Sequence, residues 1–178
     1  MPILFRLSAV LLLTLTLCGC STVTGWFSVD DDEDPRRPAE LVDFEPAATL
    51  NRLWSVSIGK GQGKGLFRLR PVIAGELIYA ASSDGRVVAI ERESGRKRWE
   101  QRLEKSFSGG VGHYRGSLLL GTKDGELLRL SADDGKLVWS TPVSGEVLAP
   151  PQGDGRVVIV QTYDGKLHAY DHESAKRL

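Results

Sequence analysis

Short apolar runs alternate with glycine-containing turns from residue 70 onward, and this pattern repeats every 40 residues. Three segments align with one another: Arg70–Gly85, Gly110–Gly125 and Pro150–Gly165. Each segment ends in an Asp-Gly pair, and Trp99 and Trp139 follow the first two pairs, again 40 residues apart. A period of about 40 residues with several short strands per unit predicts a β-propeller, in which each repeat forms one blade.

The turns predict where the strands begin and end. Asp-Gly at the centre of a two-residue loop supplies the positive φ angles of a type I′ hairpin. Three pairs are therefore predicted to join antiparallel strands: Asp84-Gly85, Asp124-Gly125 and Asp164-Gly165. The strands before these turns are predicted at Glu76–Ala81, Ser117–Thr122 and Arg156–Thr162. The strands after them are predicted at Arg86–Glu91, Glu126–Ser131 and Lys166–Asp171.

Two of the predicted strands are apolar on both faces. Leu118–Leu120 and Val157–Val160 are continuous apolar runs, whereas a strand with one face in water would alternate apolar and polar residues. Blades that pack face to face bury both sides of their sheets. No stretch between the glycines sustains a period of 3.6 residues, so the predicted fold class is all-β.

The segment Ala89–Trp99, "AIERESGRKRW", resembles the repeat of quinoprotein (PQQ-like) propellers, whose pattern is Ala-x-Asp-x-x-(Thr/Ser)-Gly-x-x-x-Trp. This resemblance implies four-stranded blades in which the Trp docks against a neighbouring blade. Trp99 and Trp139 are therefore expected to be inter-blade anchors. The second repeat departs from the pattern at Arg129 and Ser131, and the third has Ala175 in place of Gly; these departures are expected to weaken the local fit.

The first twenty residues have the pattern of a bacterial export signal. Arg6 precedes an apolar stretch of 11 residues, Leu7–Leu17, which is too short to span a bilayer as a helix. Leu17–Cys20, "LCGC", resembles the lipobox of bacterial lipoproteins, which implies cleavage after Gly19 and a lipid anchor on Cys20. Ser21 follows Cys20 at the position where lipoproteins retained in the inner membrane usually have Asp, so the resemblance implies the outer membrane. The alternative is an ordinary secretory signal that happens to contain cysteine.

Three regions are predicted: a signal peptide (1–19), a lipidated N-terminus with an acidic, flexible linker (20–50), and a partial propeller (51–178). The linker contains three consecutive aspartates and little apolar surface, so a solvated tether is favoured over an acidic docking patch. Across the whole chain, 23 Lys and Arg balance 23 Asp and Glu. This balance does not favour a nucleic-acid partner.

The lipobox, the linker and the repeats together resemble the BamB family, the lipoprotein subunits of the β-barrel assembly (BAM) machinery in Gram-negative outer membranes. The resemblance implies a scaffold without catalytic residues or a cofactor, anchored in the outer membrane and facing the periplasm. Its implied partners are BamA, through the POTRA domains, and other BAM subunits, with unfolded outer-membrane precursors as further candidates.

The repeats are fewer than a closed propeller needs. Roughly 4–8 blades close the ring, and the family resemblance implies eight. We therefore expect the N-terminal part of a longer protein or a truncated product, with most BamA contacts beyond residue 178. Residues Arg52–Gly59, around Trp54, resemble a further copy of the Trp strand. A compact, cooperatively unfolding monomer of residues 20–178 in gel filtration would contradict this expectation.

Two other functions share the propeller fold. A quinoprotein dehydrogenase holds PQQ over a Trp floor with Ca²⁺ and an Asp base, and many members place a disulfide of adjacent cysteines above it. Outside the signal peptide this chain has only Cys20, and turn acids spread around a ring do not supply the 6–8 converging oxygens that Ca²⁺ prefers. A generic periplasmic propeller that binds a small ligand or a polymer remains the main alternative.

The histidines are predicted to be structural or solvated. His168 and His172 are four residues apart, a spacing that suits a metal site on a helix but has no such meaning on a strand and turn. His113 stands alone before a strand. No metal site and no catalytic residue is predicted.

Overall fold

The computed structural model describes residue 38 and residues 41–61, 63–65 and 67–178. Cys20 and the predicted signal peptide lie outside the described residues. The chain divides into two units, residues 1–49 and 50–178. The described residues of the first unit are exposed and contain no helix or strand. The described strands all lie in the second unit, which is all-β as predicted.

Three antiparallel sheets follow one another along the chain and form three blades, whose strands pair in chain order. The first blade contains β1 (Val72–Ala74), β2 (Leu77–Ala81), β3 (Arg86–Glu91) and β4 (Lys97–Arg102). The second contains β5 (Phe107–Tyr114), β6 (Ser117–Thr122), β7 (Glu126–Ser131) and β8 (Leu137–Pro142). The third contains β9 (Gln152–Asp154), β10 (Val157–Gln161) and β11 (Leu167–Asp171), and an isolated bridge joins Tyr170 to Arg177.

The strands beside the Asp-Gly turns lie where the sequence predicts them. β3, β6 and β7 have the predicted bounds; β2 and β11 each begin one residue later, and β10 is one residue shorter at each end. The agreement is close because strand ends here are set by local turn chemistry.

The turns themselves differ from the predicted type I′ loops. In the first blade, the Gly85 N–H donates to the Ser82 carbonyl (3.1 Å) and the Ser82 N–H donates to the Arg86 carbonyl (2.9 Å). Gly85 has a φ of 88°, whereas Asp84 is not among the described non-glycine residues with positive φ. This is a three-residue loop, a type I turn followed by a left-handed glycine. The prediction of a type I′ turn is wrong because only the glycine adopts positive φ.

The hydrophobic core consists of layers between neighbouring blades. Leu118 and Leu120 belong to a cluster with residues of the first blade, whereas Leu119 belongs to a cluster with Val158 and Val160 of the third. All three leucines are fully buried. The second blade is thus covered on both faces, as the continuous apolar run predicts.

The first strand of each blade contacts the first strand of the next, since β5 lies against both β1 and β9. These strands therefore form the inner edge of the arrangement. The last strands, β4 and β8, lie at the opposite edge of their sheets.

Candidate functional site

Trp99 reaches from the outer strand of the first blade to the second blade. Its indole Nε1–H donates to the Ala132 carbonyl at 3.1 Å. A Cβ added at Gly135 would lie 2.6 Å from the Trp99 ring, so the absence of a side chain there lets the ring lie against the turn. The Gln101 amide donates to the Asp134 carbonyl of the same turn at 2.9 Å. Five residues thus join the two blades.

Trp139 repeats this geometry one blade later. Its Nε1–H donates to the His172 carbonyl at 2.9 Å, and His172 lies 40 residues after Ala132. The position that corresponds to Gly135 is Ala175, which keeps the left-handed conformation with a φ of 58°. The backbone of the turn is therefore retained although the glycine is not, at a cost of about 1 kcal/mol.

Trp54 makes the same contact with the first blade. Its Nε1–H donates to the Arg92 carbonyl at 2.9 Å, and its ring lies 2.6 Å from a Cβ added at Gly95. Trp54, Val56 and Ile58 pack against the face of the first blade that lies opposite the second blade. Residues 51–58 are not assigned to a strand. The resemblance of this segment to the Trp strand therefore extends to its docking contact.

Arg129 forms a link between blades that the sequence pattern does not predict. The sequence pattern predicts that the departure from Ala at this position weakens the fit, but the side chain links the second blade to the third. Its Nη1 donates to the His172 carbonyl (2.9 Å) and to the Glu173 carboxylate (2.8 Å), and its Nε donates to Ser117 Oγ (2.8 Å). Only 13% of the side chain is exposed, and the hydrogen bond from Arg129 lowers the pKa of Glu173.

The link between Arg129 and Glu173 has a signal in the aligned repeats. Arg129 stands where the other repeats have Ala, and a residue of opposite charge, Glu173, lies in the next repeat's turn. Pairing a basic departure with an acidic residue one repeat later would have identified it.

Two of the three turn acids, Asp84 and Asp164, accept hydrogen bonds within their own hairpins. Hydrogen bonding from Ser82 (2.7 Å), and then from Arg86 (3.3 Å), lowers the pKa of Asp84. Lys166 (2.6 Å) and Thr162 (2.5 Å) likewise lower the pKa of Asp164 by donating to its carboxylate. Asp124 occupies the corresponding place in the second blade, between β6 and β7. The turns place the three acids in three different blades.

His168 is buried in a polar cluster between the second and third blades. Its Nε2 shares a hydrogen bond of 2.8 Å with Ser144 Oγ, and Asp164 accepts a hydrogen bond from the same hydroxyl at 3.1 Å. A Ser-His-Asp catalytic triad requires the carboxylate to hold the imidazole. Here the carboxylate contacts the hydroxyl instead, so the cluster does not have the geometry of a nucleophilic site.

The other two histidines pack against aromatic rings. The His113 ring is stacked on Tyr79 with a centroid distance of 5.7 Å, and burial lowers its pKa. The buried His172 ring meets Tyr114 edge-on at 5.5 Å. In the part of the chain that the structure describes, no three His, Cys, Asp or Glu side chains converge as metal ligands. The same part contains no helix long and apolar enough to cross a membrane.

The outer edges of the two complete blades differ in chemistry. β4 carries four charged side chains, at Lys97, Arg98, Glu100 and Arg102, whereas β8 carries none. Leu137 and Val138 of β8 are 48% and 52% exposed. Charged residues on an edge strand discourage pairing with another chain, so the β8 edge is the more accessible to an added strand.

Comparison with known proteins shows what the chain resembles. The family model described as outer membrane protein assembly factor BamB matches residues 37–110 and 83–178. BamB of Xanthomonas campestris is 37% identical over 158 residues, which covers 82% of this chain and 39% of that protein. The chain thus spans about two-fifths of the length of this curated relative.

Solved structures agree on the fold. The crystal structure of BamB from Moraxella catarrhalis superposes with a TM-score of 0.57 at 29% identity, covering 61% of this chain and 34% of that one. A europium-containing methanol dehydrogenase superposes with a TM-score of 0.59 at 21% identity, over 71% of this chain and 26% of that one. The second likeness concerns the fold alone. Because the family model covers most of its length, the chain belongs to the family of the outer membrane protein assembly factor BamB.

Proposed function

We propose that the chain is the blade-forming part of a lipid-anchored, non-enzymatic scaffold of the β-barrel assembly machinery. The observation that carries this proposal is the match of the BamB family model to residues 37–178, a region that contains all the described blade strands. Its curated relatives are named as outer membrane protein assembly factors, and a scaffold suits that name. Neither a catalytic residue nor a cofactor is part of the proposal.

The proposed location is the periplasmic face of the outer membrane. Lipidation of Cys20 would anchor the chain there, because two or more acyl chains hold a protein stably at a bilayer. The acidic linker would then tether the blades below the membrane. In this position the blades would hold the POTRA domains of BamA, or an incoming barrel precursor, in a productive arrangement.

The proposed mode of contact with precursors is β-augmentation. A strand added to a sheet edge gains main-chain hydrogen bonds without a requirement for one sequence, which suits a partner that handles many barrel precursors. The uncharged edge of β8, with Leu137 and Val138 exposed, is the better acceptor of the two outer edges.

Co-purification tests the scaffold function. The natural-length, lipidated protein is purified from gently solubilised outer membranes, and we expect BamA to come with it. A Cys20→Ser variant, which cannot be lipidated, serves as the matched control and should recover much less BamA. Failure of the folded and anchored protein to retain BamA would contradict the proposal and favour a propeller that binds a small ligand or polymer.

Site-specific crosslinking tests the proposed edge. A photo-crosslinking amino acid is placed at Val138 in β8, and the control position is Arg98, which lies 40 residues earlier in β4. We expect crosslinks to unfolded barrel precursors to be several-fold more frequent from position 138, because the β4 edge is charged. Equal yields, or crosslinks only from blade faces, would contradict β-augmentation at this edge.

A further inference from the structure

A cavity of about 630 Å³ opens beside the inner strands of the three blades. Arg68 and Arg70, from the segment before β1, line one side, and Leu148–Pro150, from the segment before β9, line another. Gln161 and Tyr163 of the third blade complete the rim. Sites of about 300–1,000 Å³ suit small ligands or short chain segments. The cavity is therefore large enough for several residues of a partner.

Two glycines of β5 bring these distant segments together. A Cβ at Gly110 would lie 2.7 Å from the backbone N of Arg70, and a Cβ at Gly109 would lie 2.9 Å from the carbonyl O of Ala149. The bare β5 backbone therefore contacts the first-blade segment on one side and the third-blade segment on the other. Residues 80 positions apart in sequence, such as Arg70 and Pro150, thus line the same cavity.

The cavity has a positive charge that the described residues do not neutralise. Both arginines are exposed, and among the described residues neither guanidinium has a carboxylate within 4.0 Å. Asp164, which is next to the rim residue Tyr163, does not line the cavity, and its carboxylate is held by Lys166. The cavity can therefore attract anionic groups.

The charge is specific to the first repeat. The positions 40 and 80 residues after Arg68 are Ser108 and Leu148, and those after Arg70 are Gly110 and Pro150. The blade architecture is thus maintained at these positions without a cation. The two arginines are not required by the fold of the repeat, so they are available for recognition.

We infer that this cavity binds an extended, acidic polypeptide segment that carries carboxylates two residues apart. The Arg70 N–H donates to the Arg68 carbonyl at 2.8 Å, which closes a tight turn, and both residues line the cavity. Alternate residues of an extended chain project on the same side, so two carboxylates at that spacing meet two guanidinium groups. Arginine pairs with carboxylates through two parallel hydrogen bonds.

The remaining lining favours a polypeptide over a phosphate group. Leu148, Ala149 and Pro150 form an apolar wall that suits the intervening side chains of such a segment, and Tyr163 at the rim is 77% exposed. A phosphate group gains no favourable contact with an apolar wall. The inference deepens the proposed scaffold function and rests on it only in taking the partner to be a protein.

Fluorescence anisotropy of a labelled peptide tests the inference with the full chain. The probe is an acetylated peptide of alternating Glu and Val, and one control peptide has Gln in place of Glu. A second control has the same composition with adjacent glutamates, which project to opposite sides. The protein variant is Arg68→Gln with Arg70→Gln. The matched control is Arg96→Gln with Arg98→Gln, which has the same spacing and charge change in the turn before β4 and on β4 itself.

We expect the alternating peptide to bind and the Gln peptide to have an affinity at least about 10-fold lower. Added salt should weaken the complex with the alternating peptide. The R68Q/R70Q variant should lose about 10-fold in affinity, and R96Q/R98Q should change it less than 2-fold. Equal losses in both variants, or no preference for alternating glutamates, would overturn the inference. If R68Q/R70Q lost binding to phosphatidylglycerol vesicles but kept its affinity for the peptide, the site would be reassigned to lipid phosphate. BamA co-purification is measured separately and does not depend on these outcomes.

Discussion

Replacing Gly85 by Ala is expected to lower the free energy of unfolding of the full chain by about 2–4 kcal/mol. Gly85 has a φ of 88°, and a Cβ at this position would lie 1.9 Å from the Leu103 carbonyl O and 2.7 Å from that of Lys105. Both neighbours are backbone atoms. The Leu103 N–H also donates to the Gly85 carbonyl at 2.8 Å, so the two segments cannot separate without loss of this bond.

The repeat provides matched controls at the same turn position. Gly125 and Gly165 also have positive φ, 77° and 80°. A Cβ at Gly125 would meet its nearest neighbour at 3.2 Å, and a Cβ at Gly165 would meet nothing within 4 Å. We expect the loss in urea denaturation to follow the order Gly85, Gly125, Gly165, with about 1 kcal/mol for Gly165→Ala from backbone strain alone. Equal losses at the three positions would show that the turn conformation, and not the close approach, requires glycine.

Replacing Trp99 by Ala is expected to cost about 3 kcal/mol of unfolding free energy. The ring packs against the cluster between the first two blades, with its centroid 6.0 Å from that of Tyr79. The substitution removes this packing and the hydrogen bond to the Ala132 carbonyl. Because the ring spans two blades, we also expect the first and second blades to unfold less cooperatively. Urea denaturation followed by circular dichroism measures both effects.

Two further variants separate the contributions. Trp99→Phe keeps an aromatic ring but loses the indole N–H, and should cost about 1 kcal/mol for the hydrogen bond together with some loss of packing. Arg98→Ala, at an exposed position on the same strand, should change stability by less than about 0.5 kcal/mol. If Trp99→Ala were no more destabilising than Arg98→Ala, the ring would not be an inter-blade anchor.

Sequence periodicity was sufficient for the blades themselves. The 40-residue repeat, the Asp-Gly pairs and the continuous apolar runs predicted the fold class and the strands from β2 to β11 that flank the turns. These features depend on contacts within one hairpin or on burial of a whole face. Both produce a local pattern of apolar and turn-forming residues that can be recognised in the sequence. The turn type was less accessible because type I′ and three-residue loops share the Asp-Gly signature.

Apart from the Trp99 and Trp139 anchors, the contacts between blades were decided by the tertiary structure. Arg129 pairs with Glu173, 44 residues later, and Trp54 docks on Arg92 although its segment forms no assigned strand. The cavity depends on glycines in β5 that allow segments of two other blades to approach. Each of these features joins residues from different repeats, whose separation in space is set by how the blades pack. The 40-residue repeat in the sequence determines the fold of each blade. The packing of the blades determines which of the residues that differ from the repeat come into contact.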